Sequence, residues 1–483
     1  MSHGGDRLLG CHPVKRRYLV LFITAPLVLL VAAPLAVVAC TSGLAASPTS
    51  PAPPGQPAVP LDARLDTSTN VDPDAGPPPT CLSVDLPPGT GKVFCDLPGP
   101  EATGLSVPPE FCIREFTSTP LVEPRVMRFA PNGDLFLAAP SMNTPGGAGN
   151  GPGAILVLPD DDGDGRADSV LTFAGGSPRS GSNNCAGLEA DPANLACVHG
   201  LLFSGGYLYF TRSDEVRRVP YTQGARVAPA GPSELVATLG GAGINDIRWT
   251  HTLEQTKDGS IWVSRGRFDS STCSTSEMEI GAVLALHVDG NATLPVTPEL
   301  VANGFRNPMY LRCSPASCGD CYTNELSGDG WDGQGGREKL ALLEKKGESW
   351  GYPCCIGRDK AANTAGSADC SKVGRELVSI PLHDTPFGFD FDRGAFPGEY
   401  KHGVFAALHG VVTSFGGSGV VWLETDPIAL RPTGRSTMFI NGFGKPIGRA
   451  TDVAFAPDGR MFVADDTSGK IYWVAPKTLA APK

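Results

Sequence analysis

The chain has 483 residues, a formal net charge of −11, 60 glycines and 45 prolines. An acidic chain without a basic, aromatic-interleaved patch is a poor nucleic-acid ligand, so that class is set aside. Ordinary hydrophobic content, many turn-forming residues and few long helical periodicities point to a large, turn-rich β protein.

Residues 1–39 read as a signal peptide. Lys15-Arg16-Arg17 precede a 22-residue apolar run from Tyr18 to Ala39, which ends Val37-Val38-Ala39-Cys40. That order matches a secretory signal, and its end resembles the lipobox of bacterial lipoproteins, in which the cysteine is lipidated. An uncleaved membrane span is the alternative; Pro26, Pro34 and the placement of Cys40 favour the lipoprotein. The expectation is an exported cell-envelope protein, periplasmic or outer-surface, touching the membrane only through a lipid on Cys40. Without residues 1–39 the chain keeps 35 basic and 49 acidic residues, a net charge of −14. Residues 40–100 follow as the lipidated cysteine and a tether. From Thr41 to about Thr80 the composition is Pro, Ala, Ser, Thr and Asp, too poor in large apolar residues to fold.

The domain proper is expected over 101–478, where one pattern recurs. Phe129-Ala-Pro-Asn-Gly-Asp-Leu-Phe-Leu-Ala138 is a turn followed by an alternating strand. Ser204–Phe210, Lys257–Ser264 and Ala456–Ala464 repeat it, and weaker copies lie near Tyr310–Asn324 and Gly403–Leu408. Asn-Gly or Asp-Gly between apolar alternations signals a hairpin. Six irregularly spaced units predict an all-β, six-bladed β-propeller with long inter-blade loops that carry function. A pair of β-sandwiches is the alternative.

Between the first two units, Asp160, Asp162, Asp164 and Asp168 stand at offsets 1, 3, 5 and 9, with Gly165 at offset 6. This is the spacing of a calcium loop, although Leu171 replaces the closing glutamate at offset 12. A structural calcium site is expected; a solvated acidic turn is the alternative.

The stretch Asn303–Cys355 holds Arg306-Asn307 before Pro308, then Asn324-Glu325-Leu-Ser-Gly328. A planar fork donor beside carbonyl-rich turns suits an anionic ligand together with a hard cation. With Cys11 lost and Cys40 lipidated, twelve of the 14 cysteines remain, read as up to six disulfides in an oxidising compartment. Cys81–Cys95 and Cys185–Cys197 are suggested by proximity. The adjacent Cys354 and Cys355 either close a ring on each other or bridge separately, one to Cys370 and one to Cys313, Cys318 or Cys321.

The order of these motifs resembles the pyrroloquinoline quinone (PQQ)-dependent glucose/sorbosone dehydrogenases, soluble quinoprotein sugar dehydrogenases built on a six-bladed propeller. The segments that carry the resemblance are Glu123–Gly133, His199-Gly-Leu-Leu-Phe203, Gly304-Phe-Arg-Asn-Pro308, Trp350-Gly-Tyr-Pro353, Ala407-Leu-His-Gly410 and Gly448–Val453. The resemblance implies a dehydrogenase that passes hydride from a sugar or related aldehyde to PQQ, with an electron acceptor the sequence does not name. It puts His251 in the place of the general base and Arg306 on the quinone carbonyl. Asn307, His199, His409, Arg449 and Lys445 would hold the cofactor. Backbone carbonyls near Ser327 and Gly328 would hold an activating calcium. Thr451 stands where relatives carry a second arginine, and His409 where they carry a lysine. Those departures keep open a silent propeller that binds a glycan or a protein.

Overall fold

The six hairpin units seen in the sequence are the first two strands of six antiparallel sheets. The computed structural model describes residues 89–481, apart from 90, 141–152, 176–192, 241–249, 267–272, 274–280, 291, 318, 329–336, 345, 359, 363–367, 381–383 and 412–413. The signal segment, Cys40 and the tether to Thr80 lie outside the described residues, as do Cys81, Cys185, Cys318, Trp331 and His383.

Strand β1 (Phe111–Glu115) is set apart from its neighbours in sequence. Blade one is β2 (Met127–Phe129), β3 (Leu135–Ala139), β4 (Ala154–Leu158) and β5 (Leu171–Gly175). Blade two is β6 (Val198–Ser204), β7 (Tyr207–Arg212), β8 (Glu215–Pro220) and β9 (Glu234–Thr238). Blade three comprises β10 (Leu253–Gln255), β11 (Ile261–Arg265), β12 (Ala282–Leu286) and β13 (Glu299–Asn303). Blade four has β14 (Asn307–Cys313), β15 (Cys321–Leu326) and β16 (Glu338–Leu342). The short β17 (Glu348–Ser349) adds to blade three, β18 (Cys355–Gly357) pairs with β19 (Lys360–Ala361), and β20 (Glu376–Ile380) completes blade four. Blade five is β21 (Pro386–Phe391), β22 (Val404–Leu408), β23 (Gly419–Thr425) and β24 (Pro432–Ile440). Blade six takes β25 (Ala450–Phe455), β26 (Met461–Asp465) and β27 (Lys470–Pro476) from the C-terminal end and β1 as its outer strand. Inner strands touch in the cyclic order β2, β6, β10, β14, β21, β25 and back to β2, which makes a closed six-bladed propeller.

The recurring sequence signal has one local cause. Gly133, Gly259 and Gly459 lie at φ 94°, 87° and 90°, where a side chain would be strained. Their N–H groups donate to Ala130, Thr256 and Ala456 at 2.9, 2.9 and 3.0 Å, closing the same turn three times. Apolar faces of neighbouring blades then interdigitate. Phe136 of blade one meets Phe203 of blade two edge-to-face at 4.9 Å, and Phe405 of blade five meets Phe455 of blade six at 5.6 Å. Such pairs add about 0.5–1.5 kcal/mol each beyond area burial.

Packing runs past both expected domain limits. Phe94 and Leu97 are buried in the same cluster as Trp473, and Leu479 packs beside them. Cys95 bonds to Cys112, with Cα atoms 5.8 Å apart, which corrects the Cys81–Cys95 pairing; β1 carries Cys112 alongside the turn that holds Cys95. Cys354 and Cys355 do not close a ring on each other. They point apart, Cys354 to Cys273 and Cys355 to Cys370. The Cys370 bridge matches the separate-bridge expectation, whereas Cys313 and Cys321 are taken by each other across β14 and β15. Cys197 is disulfide-bonded as well.

Candidate active site

Strand pairing fixes which residues share one end of the ring. Met127 pairs with Leu137, Val198 with Arg212, Asn307 with Leu326, Pro386 with Leu408 and Ala450 with Asp465. The starts of the inner strands and the ends of the second strands therefore lie together. Arg125, His199, His251, Arg306, Asn307, Phe387, His409, Arg449 and Asp466 all fall at that end.

Blades one, five and six build the most strongly charged part. The Asp466 carboxylate meets Arg125 Nη1 at 3.1 Å and His409 Nε2 at 3.0 Å, with all three side chains almost wholly buried. His409 stacks on Phe387 with centroids 4.1 Å apart, and the Arg125 guanidinium lies 5.7 Å from the same ring. Arg449 Nε donates to the His409 carbonyl at 2.8 Å and Nη2 to that of Gly410 at 3.0 Å. Its guanidinium and Lys445 Nζ both lie over the Phe415 ring, at 4.9 and 5.1 Å. Burial works against charge on Asp466, but His409 and Arg125 outweigh it and hold the carboxyl well below its usual range. Burial pushes His409 down to about 4 despite Asp466, so the ring is neutral and donates its Nε2–H to the carboxylate. Arg449, lowered by burial to about 10, stays cationic at neutral pH.

The other histidines sit in blades two and three. The His251 carbonyl receives the Thr211 hydroxyl at 2.7 Å and lies 3.1 Å from His199 Nδ1. The His251 ring is 0 % exposed and neither nitrogen has a hydrogen-bond partner among the described residues. Burial, then Arg265, lowers it to about 3, so the ring is neutral at any ordinary pH.

In blade four the half-buried Arg306 donates Nη1 to the carbonyls of Leu326 at 3.1 Å and Ser327 at 2.9 Å, and its N–H goes to Glu325 Oε1 at 2.7 Å. The Ser327 carbonyl thus already faces a cation, and Glu325 Oε2 lies 3.0 Å from Lys339 Nζ. Calcium at Ser327 and Gly328 does not fit this arrangement unless Arg306 lets go. Asn307 Oδ1 is buried without a hydrogen-bond partner among the described residues. Trp350 and Tyr352 are core residues, with Trp350 stacked on Phe305 at 5.4 Å.

The acidic loop lies at the opposite end of blade one, because Leu158, just before it, pairs with Leu135 beside the β2–β3 turn. Oxygens of Asp160, Asp162 and Asp164 come within 4.8 Å of one another. Asp168 is turned elsewhere: its Oδ2 accepts the Asp161 N–H at 2.6 Å.

Arg125, Asp466 and Phe387 were not singled out from sequence. Arg125 had a signal, since it stands eight residues before turn glycine Gly133, as His251 does before Gly259 and Thr451 before Gly459. Asp466 had none, because its partners lie in other blades.

No family model matches the sequence, and no curated protein does. Solved structures do. The holo PQQ domain of pyranose dehydrogenase from Coprinopsis cinerea superposes with a TM-score of 0.58 at 16 % identity, over 78 % of this chain and 98 % of that one. What the two share is the six-bladed propeller fold. A calcium structure of a Trichoderma reesei carbohydrate-active enzyme of family AA12 gives 0.57 at 17 % identity, over 79 % and 99 %. A glucose dehydrogenase gives 0.52 at 12 % identity, over 75 % and 98 %. The likeness to sugar dehydrogenases expected from the motifs is thus present in the fold.

Proposed function

We propose that this protein is an exported, lipid-anchored, PQQ-dependent dehydrogenase that oxidises a sugar or related aldehyde. One observation carries the reading. A protein of net charge −11 gathers Arg125, Arg306, Arg449 and Lys445 at one end of its ring, next to buried polar atoms of His251 and Asn307 that have no hydrogen-bond partner among the described residues. A flat tricarboxylate with quinone oxygens suits that donor set. Arg449 and Lys445 would face its carboxylates, His409 would line the pocket with its N–H given to Asp466, Asn307 would meet its edge, and Arg306 the oxygen on which charge develops. When bound, PQQ supplies a quinone that accepts hydride.

The protein's own share is proton handling and positioning. His251, kept neutral by burial, takes the hydroxyl proton of the substrate. Asp466 holds His409 in one orientation, and Phe387 fixes the plane of its ring. At the Asp160, Asp162 and Asp164 loop calcium would be structural, at the end of the ring away from the chemistry.

Thr451, 0 % exposed and bonded inside blade six at Asp466 N and Arg449 O, favours the rival reading of a silent propeller that binds a glycan or protein. Titrating the purified protein with PQQ, with and without calcium, and then following dye reduction with aldoses, sorbosone-like aldehydes and simple alcohols, separates the two. Saturable PQQ binding with turnover supports the dehydrogenase. No turnover with loaded protein hands the propeller to the rival.

A further inference from the structure

Each of the six inner strands sets a charged or polar side chain on the axis of the ring: Arg128, His199, Glu254, Tyr310 with Arg312, Asp390 and Asp452. Their contacts cross between blades that are not neighbours, which only side chains at the centre can do. Arg128 of blade one ion-pairs with Glu254 of blade three. Arg312 of blade four points Nη2 at Asp452 of blade six, 4.0 Å away. That gap is longer than a direct hydrogen bond and too short for a water in line, so a water here would sit beside the ion pair and bond to both groups.

Several of these enclosed atoms have no hydrogen-bond partner among the described residues. Tyr310 is 0 % exposed and its hydroxyl has none; Arg312 is 2 % exposed and neither Nε nor Nη2 has one. Enclosed donors of this kind are normally met by ordered water. The Tyr310 ring packs against His199 at 5.6 Å, so its hydroxyl belongs to the floor of the candidate site. Arg128 and Glu254, with side chains 16 % and 15 % exposed, mark where solvent enters the column.

We propose, resting on the dehydrogenase reading, that the axis holds a file of ordered water from the Tyr310 hydroxyl past Arg312 and Asp452 to Glu254, and that this file carries the substrate's proton out of the site. The substrate O–H bond breaks, its proton goes to the histidine base and then to a water of the file, and one proton leaves for solvent at Glu254. The negative charge that the hydride brings would stay in the site, facing Arg306. Tyr310 is a positioning residue for the water, and Asp452 stores the proton in transit.

The surroundings of Asp452 suit storage. Burial raises its carboxyl to about 7 against the pull of Arg312, of the N–H groups of Met127 and Val453, and of Arg128. Arg125, Arg312 and Asp466 also face Tyr310, where burial and Asp452 hold the phenol well above its usual range.

Tyr310→Phe is the test, because it removes one hydroxyl and keeps the ring. Asp452→Asn is avoided, since both carboxylate oxygens accept main-chain N–H groups, from Met127 and Val453, at 2.7 and 2.9 Å. In cofactor-free protein, the protonated-carboxyl infrared band of Asp452 is followed against pH. Its midpoint moves to higher pH in Tyr310→Phe if the hydroxyl reaches the carboxylate through water. In PQQ-loaded protein, turnover falls about tenfold with a larger solvent deuterium effect, less than the about 10²–10⁴ that loss of a base costs. An unmoved band in Tyr310→Phe, with the melting temperature raised by relief of an unpaired hydroxyl, overturns the file. A moved band in a protein that oxidises nothing upholds the file and overturns its part in oxidation, leaving the failure with the dehydrogenase reading.

Discussion

His251 should make this protein acid-sensitive in a way that one substitution removes. Its ring is enclosed without a hydrogen-bond partner and its pKa falls from the usual 6.5 to about 3. The unfolded chain therefore binds a proton in a range where the native chain does not. Stability from this group is complete above the unfolded pKa and is lost as pH falls from about 6.5 toward about 3. Each pH unit inside that window is worth about 1.4 kcal/mol, so His251 alone removes about 3 kcal/mol between about pH 7.5 and pH 4.5. His409, lowered to about 4, adds a loss of the same sign over a narrower range. His251→Leu keeps similar volume and breaks no side-chain hydrogen bond. Urea unfolding of both proteins at several pH values should show the variant's slope against pH reduced by close to one proton. Equal slopes would refute the enclosed, unpartnered ring. The same variant should lose about 10²–10⁴ in turnover while it still binds PQQ.

Arg306→Ala should weaken PQQ binding and turnover together, read by cofactor titration and dye reduction, because one guanidinium serves charge stabilisation and binding. Asp162→Ala should abolish the calcium-dependent rise in melting temperature relative to chelator-treated protein; a retained rise would make the loop an ordinary turn. Replacing Cys355 and Cys370 by Ser should cost about 3 kcal/mol in urea unfolding, the value for closing a loop of about 15 residues. The four changes are far enough apart in function that each readout stands alone.

The propeller was legible because its signal is local. An Asn-Gly or Asp-Gly turn needs a left-handed glycine wherever it lies, so Gly133, Gly259 and Gly459 betray their strands without knowledge of the ring. The residues at the head of each inner strand follow from the same register, which is why His199, His251, Arg306 and Arg449 share one end. What did not follow were pairings settled across the ring. Asp466 joins Arg125 and His409 only after blades one, five and six have come together. Adjacent cysteines say nothing about which face each will occupy, and Cys354 found Cys273. Spacing nominated Asp168 beside Asp160, Asp162 and Asp164; its Oδ2 accepts the Asp161 N–H within the same loop, and it stands outside the trio whose oxygens come together.

The outer strand of blade six has a consequence for how the molecule is made. Glu115 lies opposite Tyr472 and Phe111 opposite Pro476, so the first strand of the ring hydrogen-bonds with the last. During synthesis five blades can be complete while β1 still waits with an unpaired edge, and such edges invite pairing with another chain. The ring cannot lock until nearly the whole polypeptide has left the ribosome. A nonsense or frameshift change that removes only β27 therefore does more than shorten the chain. It releases the N-terminal strand, reopens the gap between blades one and six, and separates Arg125 from Asp466 although neither residue has been touched.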